Sequence, residues 1–234
     1  MRADTLRTAR KKRGWTEAQA ASRVGVSQSY LAMLERGRRP VTTRLARQFR
    51  RLYRLSWALL PLPEAFSPAQ NLDPQNFARQ LASLDYPGFA YLATGRSEAH
   101  PAQVLLDGLA QEQMEARLVE AFPWILQEYW EMDMVWLIRQ AKVHDLQNRL
   151  GFVATLARLT LESSSTAQPA REAVLNVLKK LESNLAGSRL AKEDTFMKRA
   201  SEAELEWLRE SRSQEARFWN LLTDWRPEHL SYVS

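Results

Sequence analysis

The chain has 234 residues, 45% hydrophobic and 26% charged, with no cysteine and a net charge of +6; that length allows one small domain and a second of ordinary size, each with its own core. The absence of cysteine excludes disulfides, thiolate metal sites and a cysteine nucleophile. No run approaches the ~18 uncharged apolar residues of a membrane span, and Met1-Arg-Ala-Asp4 lacks the apolar segment of a secretory signal, so the sequence predicts a cytoplasmic protein with no membrane partner.

The charge is unevenly placed. Met1–Ser56 holds 15 of the 33 basic residues and only three of the 27 acids, Asp4, Glu17 and Glu35, a balance of +12 against −6 for the rest. Such a division predicts a polyanion-binding head on a body with a different task.

The head parses into four short helices. The first runs from Leu6 to a stop at Gly14, and the second starts at a Thr16-Glu-Ala-Gln19 capping box. Val24-Gly-Val-Ser27 is a tight turn in which Gly25 can take a left-handed conformation, and the third helix starts from Ser27 and stops at Gly37. Leu6, Ala9, Ala20, Ala21, Val24, Leu31 and Leu34 form the expected core, leaving Gln28, Ser29, Tyr30, Met33 and Arg36 to face outward. A fourth helix over about 41–52 adds Leu45, Phe49 and Leu52 to that core, with Arg44, Arg47, Arg50, Arg51 and Arg54 as a basic rim. Two helices crossing at a tight glycine turn, with polar side chains on the outer face of the second, suit entry into a major groove.

Together, Leu6-Arg-x-x-Arg10, Gly14, Ala21, Val24-Gly-Val-Ser27 and Leu34-Glu-Arg-Gly37 make residues 6 to about 53 resemble the Cro/repressor-type helix-turn-helix, the XRE family. The resemblance implies a lambda-repressor-like fold held by an Arg10–Glu35 staple. It implies that Gln28, Ser29 and Tyr30 read bases and that Met33 meets a thymine methyl. Gln19, Arg36, Arg38, Arg39 and Arg44 complete the DNA-contacting candidates. The implied partner is a double-stranded DNA operator bound by a homodimer. One residue departs from the family: Glu17 stands where a glutamine usually contacts phosphate, and Gln19 is the candidate to replace that contact.

Residues 61–74 hold four of the ten prolines and read as a linker, with helix ending near Leu60 and resuming after Asp73. Residues 75–234 show helical spacing over about 75–84, 101–110, 113–129, 133–161 with a break, 169–186 and 202–222, the last of which can be two helices. Asp133 and the Ser201-Glu-Ala-Glu204 box supply starts, Pro101 and Pro169 suit first turns, and Gly187 is a stop. Tyr86–Phe89 and Ala93–Ser97 read as turn-rich connectors. The fold class is all-α, with a helical bundle, or a short array of helical hairpins, behind the head.

In this second part Trp124, Trp130, Trp136, Trp207, Trp219 and Trp225 are expected in the core or at an interface. Gln147, Asn148 and Arg149 are expected to tie helices together by hydrogen bonds. His144 and Asp145 do not read as a catalytic pair, because neighbours on a helix point ~100° apart and no nucleophile accompanies them. His100, His144 and His229 are too scattered for a metal cluster, and no cofactor is implied. The sequence therefore reads as a DNA-binding transcriptional repressor, not an enzyme, whose C-terminal part dimerises or binds a protein partner. The alternative is an antitoxin-like autorepressor whose body neutralises a partner protein.

Overall fold

Short polar side chains set most helix starts in the computed structural model, which describes residues 1, 3–93, 99–164, 170–196 and 200–230. Thirteen helices account for most of the described chain. Contacts divide it into two units, Met1–Ala65 and Phe66–Ser234.

The first unit comprises α1 (Ala3–Lys12), α2 (Glu17–Val24), α3 (Gln28–Glu35) and α4 (Thr43–Tyr53), followed by a single 3-10 turn at Trp57–Leu59. Thr16 Oγ1 accepts the Gln19 N–H at 3.2 Å while Gln19 Oε1 accepts the Thr16 N–H at 3.0 Å, a reciprocal capping box. Gly25, with φ of 75°, turns the chain into the Ser27 cap of α3, a conformation that would strain a residue with a β-carbon. The α4 helix starts at Thr43, two residues later than expected, because Thr42 Oγ1 caps the Leu45 N–H. Leu6, Ala20, Leu31, Leu34 and Phe49 are fully buried together, with Leu45 and Leu52 packed half-buried against them. Each large side chain in this cluster contributes ~1.5–3 kcal/mol through burial.

In the second unit α5 (Pro74–Ser83) is capped by Asp73, and α6 (Pro101–Leu109) by His100. The expected helix over 113–129 is two pieces, α7 (Ala116–Val119) and α8 (Ala121–Glu128). The expected helix over 133–161 breaks into α9 (Met134–Val143) and α10 (Gln147–Ser163), where Asp145 takes a left-handed φ of 57°. The next helices are α11 (Arg171–Ala186), α12 (Glu202–Ser211) and α13 (Gln214–Phe218). Their starts include the Asp133 cap and the Ser201–Glu204 capping box. Pro169 and the connector residues 94–97 lie outside the described residues. Tyr86–Phe89 opens a connector of 3-10 turns over Pro87–Leu92, kinked at Phe89.

The α10 helix is the centre of this unit, buried continuously from Gln147 to Ala157, with α8, α9, α11 and α13 packed around it. Trp219 lies flat on Gly151 and donates its Nε1–H to Thr155 Oγ1 at 2.9 Å. A β-carbon at Gly151 would sit 2.3 Å from the Trp219 ring, so only glycine permits this contact.

Two expectations for this unit need correction. Residues 202–222 do not continue as helix to their end. The left-handed Asn220 (φ 54°) turns the chain after α13, and Leu221–Leu222 pairs in parallel with Asp194–Thr195. Of the six tryptophans, Trp136 and Trp219 are buried, Trp124, Trp130 and Trp225 half-buried, and Trp207 is 56% exposed. Gln147 and Asn148 anchor loop backbone instead of joining helices, whereas Arg149 does tie α10 to the end of α6 at Leu109. Gln147 donates to Ser188 O, Asn148 pairs both ways with the Leu190 backbone at 2.9 Å, and Arg149 bonds Leu109 O, Gln111 O and Thr195 O at 2.7 Å. A bidentate pair with Asp194 at 2.6 and 2.8 Å completes the donors of this buried guanidinium.

The proline-rich stretch is not uniform. The division between units falls inside it, after Ala65. Beyond that point Phe66 packs against Trp136 and His144, His144 Nε2 lies 2.9 Å from Phe66 O, and the Ala69 and Leu72 N–H groups donate to Asp107 and Gln111.

Candidate nucleic-acid interface

The α3 helix is held from below. Its Leu31, Ala32, Leu34 and Glu35 are buried against α1 and α2, which leaves the side carrying Gln28 and Ser29 exposed. The small Ala20 and Ala21 of α2, both buried, allow α3 to approach closely. Tyr30 and Met33 are half-buried, and the Tyr30 ring packs on the core edge, so of this pair only part of each side chain is available to a ligand. Ser29 Oγ is 3.2 Å from the capping Ser27 Oγ, which orients the hydroxyl on the first turn.

Beneath this surface Arg10 and Glu35 form a buried bidentate ion pair, Nε to Oε1 at 2.7 Å and Nη2 to Oε2 at 2.8 Å. Arg10 Nη1 also donates to the Trp15 carbonyl at 2.9 Å. The Glu35 hydrogen bonds raise the Arg10 pKa against the opposing effect of burial, so the charge is secure. One guanidinium thus joins α1, the α1–α2 turn and the end of α3.

Glu17 meets the same group, its Oε1 3.8 Å from Arg10 Nη2. The departure from the family pattern therefore has a local explanation: the carboxylate lies at the positive end of α2 and beside a cation. Gln19 is exposed, but its side-chain oxygen is committed to the Thr16 cap, leaving its amide N–H groups to face outward. Neither the Glu17 contact nor the Trp15 carbonyl bond was foreseen from the sequence.

Around α3 the cations differ in availability. Arg36, Arg38, Arg39 and Arg44 are exposed, as are Arg51 and Arg54, while Arg47 and Arg50 are half-buried. The Arg50 guanidinium stacks 3.3 Å above the Trp57 ring, and that of Arg23 lies 4.4 Å over Trp15 while donating to Gln19 O. These two stacked arginines present a fixed planar charge, a feature with no signature in local sequence. At the core edge Tyr53 is buried beside Phe49 and Trp15, and its hydroxyl has no hydrogen-bond partner among the described residues. Burial pushes that hydroxyl up to about 12.

A surface of this composition offers a glutamine amide able to form paired hydrogen bonds with an adenine edge, a serine hydroxyl, and arginines able to hold phosphate oxygens. Among the described residues no group of three histidine, aspartate or glutamate side chains is placed to hold a metal ion. No described helix is long and apolar enough to cross a membrane.

The second unit has an open cleft of about 680 Å³ lined by residues including Ala69, Gln111, His144, Asn148, Arg149 and Lys192. Its buried polar side chains already serve the fold: Gln111 bonds Ala69 O, Asp107 O and the Leu72 N–H, and the Arg149 donors are all engaged.

A family model described as Helix-turn-helix matches residues 6–60, and nothing is recognised for the C-terminal part. Comparisons with curated proteins and with solved structures gave no match.

Proposed function

We propose, taking Met1–Ala65 as a helix-turn-helix domain of the XRE type, that this protein is a sequence-specific DNA-binding transcriptional repressor that acts as a homodimer. The observation that carries this reading is the exposed first turn of α3, which presents Gln28 and Ser29 on a helix whose far end is held by the Arg10–Glu35 pair, together with the exposed Arg36, Arg38, Arg39 and Arg44. Gln28, Ser29 and the outer edge of Tyr30 read bases. Met33 supplies an apolar contact, and Gln19 and the arginines hold the backbone.

Two heads on one two-fold assembly would meet half-sites about one helical turn apart, and their linkage raises the effective concentration of the second head. The C-terminal unit supplies that linkage. Footprinting on DNA upstream of the gene tests the reading. Gln28→Ala with Ser29→Ala should abolish the protected site while leaving weak, salt-sensitive binding to any duplex. Tyr30→Phe is the cleaner third variant, because the ring also packs on the core. A footprint unchanged by these substitutions would reject α3 as the reading helix.

A further inference from the structure

Two helices of the C-terminal unit each leave one face uncovered, and the two faces are opposite in charge. On α9, Trp136, Leu137, Gln140 and Ala141 are buried, while Val135 (76% exposed), Arg139, Lys142 and Val143 (66% exposed) face out beside the half-buried Ile138. At ~100° per residue, Ile138, Lys142, Val135, Arg139 and Val143 fall on one arc of about 140°. No acidic residue interrupts Met134–Val143, and among the described residues Arg139 and Lys142 take part in no ion pair.

On α12 only Leu208 is buried. Glu202, Glu206, Glu210, Ala203 and Trp207 are all exposed and occupy an arc of the same width. The three glutamates form an i, i+4, i+8 row with Trp207 on its flank. Glu206 accepts one bond from Arg209 at 2.8 Å, and the Glu202 and Glu210 carboxylates have no cationic partner among the described residues. Large apolar side chains grouped on one exposed face are uncommon on surfaces that meet only water.

We propose that α9 of one copy packs against α12 of a second copy, and that the exchange is reciprocal about a two-fold axis. Each chain carries both stripes, and under that two-fold relation a single pairing, made twice, closes the assembly, whereas a head-to-tail pairing would build rings or open filaments. Arg139 and Lys142 meet the Glu202–Glu206–Glu210 row, and Trp207 lies against Val135 and Val143. The charges set the register and exclude α9–α9 or α12–α12 pairing, in which like charges would face each other. The aromatic ring is the central apolar anchor. This inference rests on the homodimer named above and places its interface.

Light scattering on the full-length protein after gel filtration, without DNA, tests it. The wild type should have the mass of two chains. Glu206→Lys with Glu210→Lys, or Arg139→Glu with Lys142→Glu, should each raise the dissociation constant at least ~tenfold through like-charge contact. The four substitutions combined should restore the dimer, and Trp207→Ala should weaken it without altering charge. Circular dichroism should show unchanged helix content throughout, since every substituted side chain is exposed. A wild-type monomer would overturn both the homodimer and its interface. A dimer indifferent to both reversals, a failed restoration, or a ladder of larger assemblies would overturn the interface alone.

Discussion

The Arg10–Glu35 pair shows how much one buried charge can decide. Both residues are almost wholly enclosed, at 8% and 5% exposure, so removing Arg10 leaves the Glu35 carboxylate unpaired in the interior, and removing Glu35 leaves Arg10 only its longer 3.8 Å contact with Glu17. Arg10→Ala or Glu35→Ala should each lower the stability of the N-terminal unit by ~3–5 kcal/mol in denaturant unfolding. A double substitution with apolar residues of similar volume should recover most of that loss, and a loss in the double variant equal to the sum of the two single losses would show that the charges act independently. The partners are 25 residues apart, beyond the reach of helical periodicity. Their pairing was legible only through the family resemblance, and the added contacts to Glu17 and Trp15 not even then.

Tyr53 gives a second test at the same scale. Its hydroxyl proton is held in the folded unit up to about 12, against an ordinary value of 10.0. Stability from this group is complete below pH 10 and declines as pH rises towards 12, because the unfolded chain releases the proton first. The thermal midpoint of the wild type should therefore fall more steeply over that range than that of Tyr53→Phe. Below pH 10 the variant should be at least as stable, since it removes a buried hydroxyl without a hydrogen-bond partner. Parallel pH profiles would contradict the burial as described.

At the scale of helices, signals confined to a few residues translated directly into structure. Thr16–Gln19, Ser27, Asp133 and Ser201–Glu204 all cap the helices assigned to them, because each bond closes within three residues. The pairing of Asp194–Thr195 with Leu221–Leu222 was not legible, as two residues carry no alternation and the partners meet only after the chain has folded. Arg149 was marked as a tie, but its partners from Leu109 to Thr195 are set by tertiary structure. Which of the six tryptophans would be in the core and which on the surface, as Trp207 is, was likewise hidden, since composition treats them alike.

The α10–α13 packing can be probed through Gly151. Gly151→Ala places a methyl group within the Trp219 ring, and the displaced indole would also lose its bond to Thr155. The expected cost is ~1–3 kcal/mol or more, from overpacking in a dense core. The measurement is denaturant unfolding followed by tryptophan fluorescence, with the Thr155→Val variant separating the bond from the clash. A stable Gly151→Ala protein would mean that the indole can move aside.

Across the whole chain, the proposed DNA binding rests on the distribution of charge. If Arg38, Arg39 and Arg44 hold phosphates, alanine at each should reduce binding to random-sequence duplex DNA and to any operator by the same factor. The slope of log affinity against log salt should become shallower by about 0.9 for each phosphate that is no longer neutralised. A substitution that changes sequence preference while keeping the salt slope would instead make that arginine a base reader.

The boundary after Ala65 lends itself to a preparative use. Pro63, Glu64 and Ala65 are exposed, and a glutamate-specific protease could cut there. Because the basic excess ends before the boundary and the acidic excess lies beyond it, the two fragments would adsorb to opposite ion exchangers at neutral pH. Digestion confined to that site, followed by two columns, would deliver the N-terminal and C-terminal units separately.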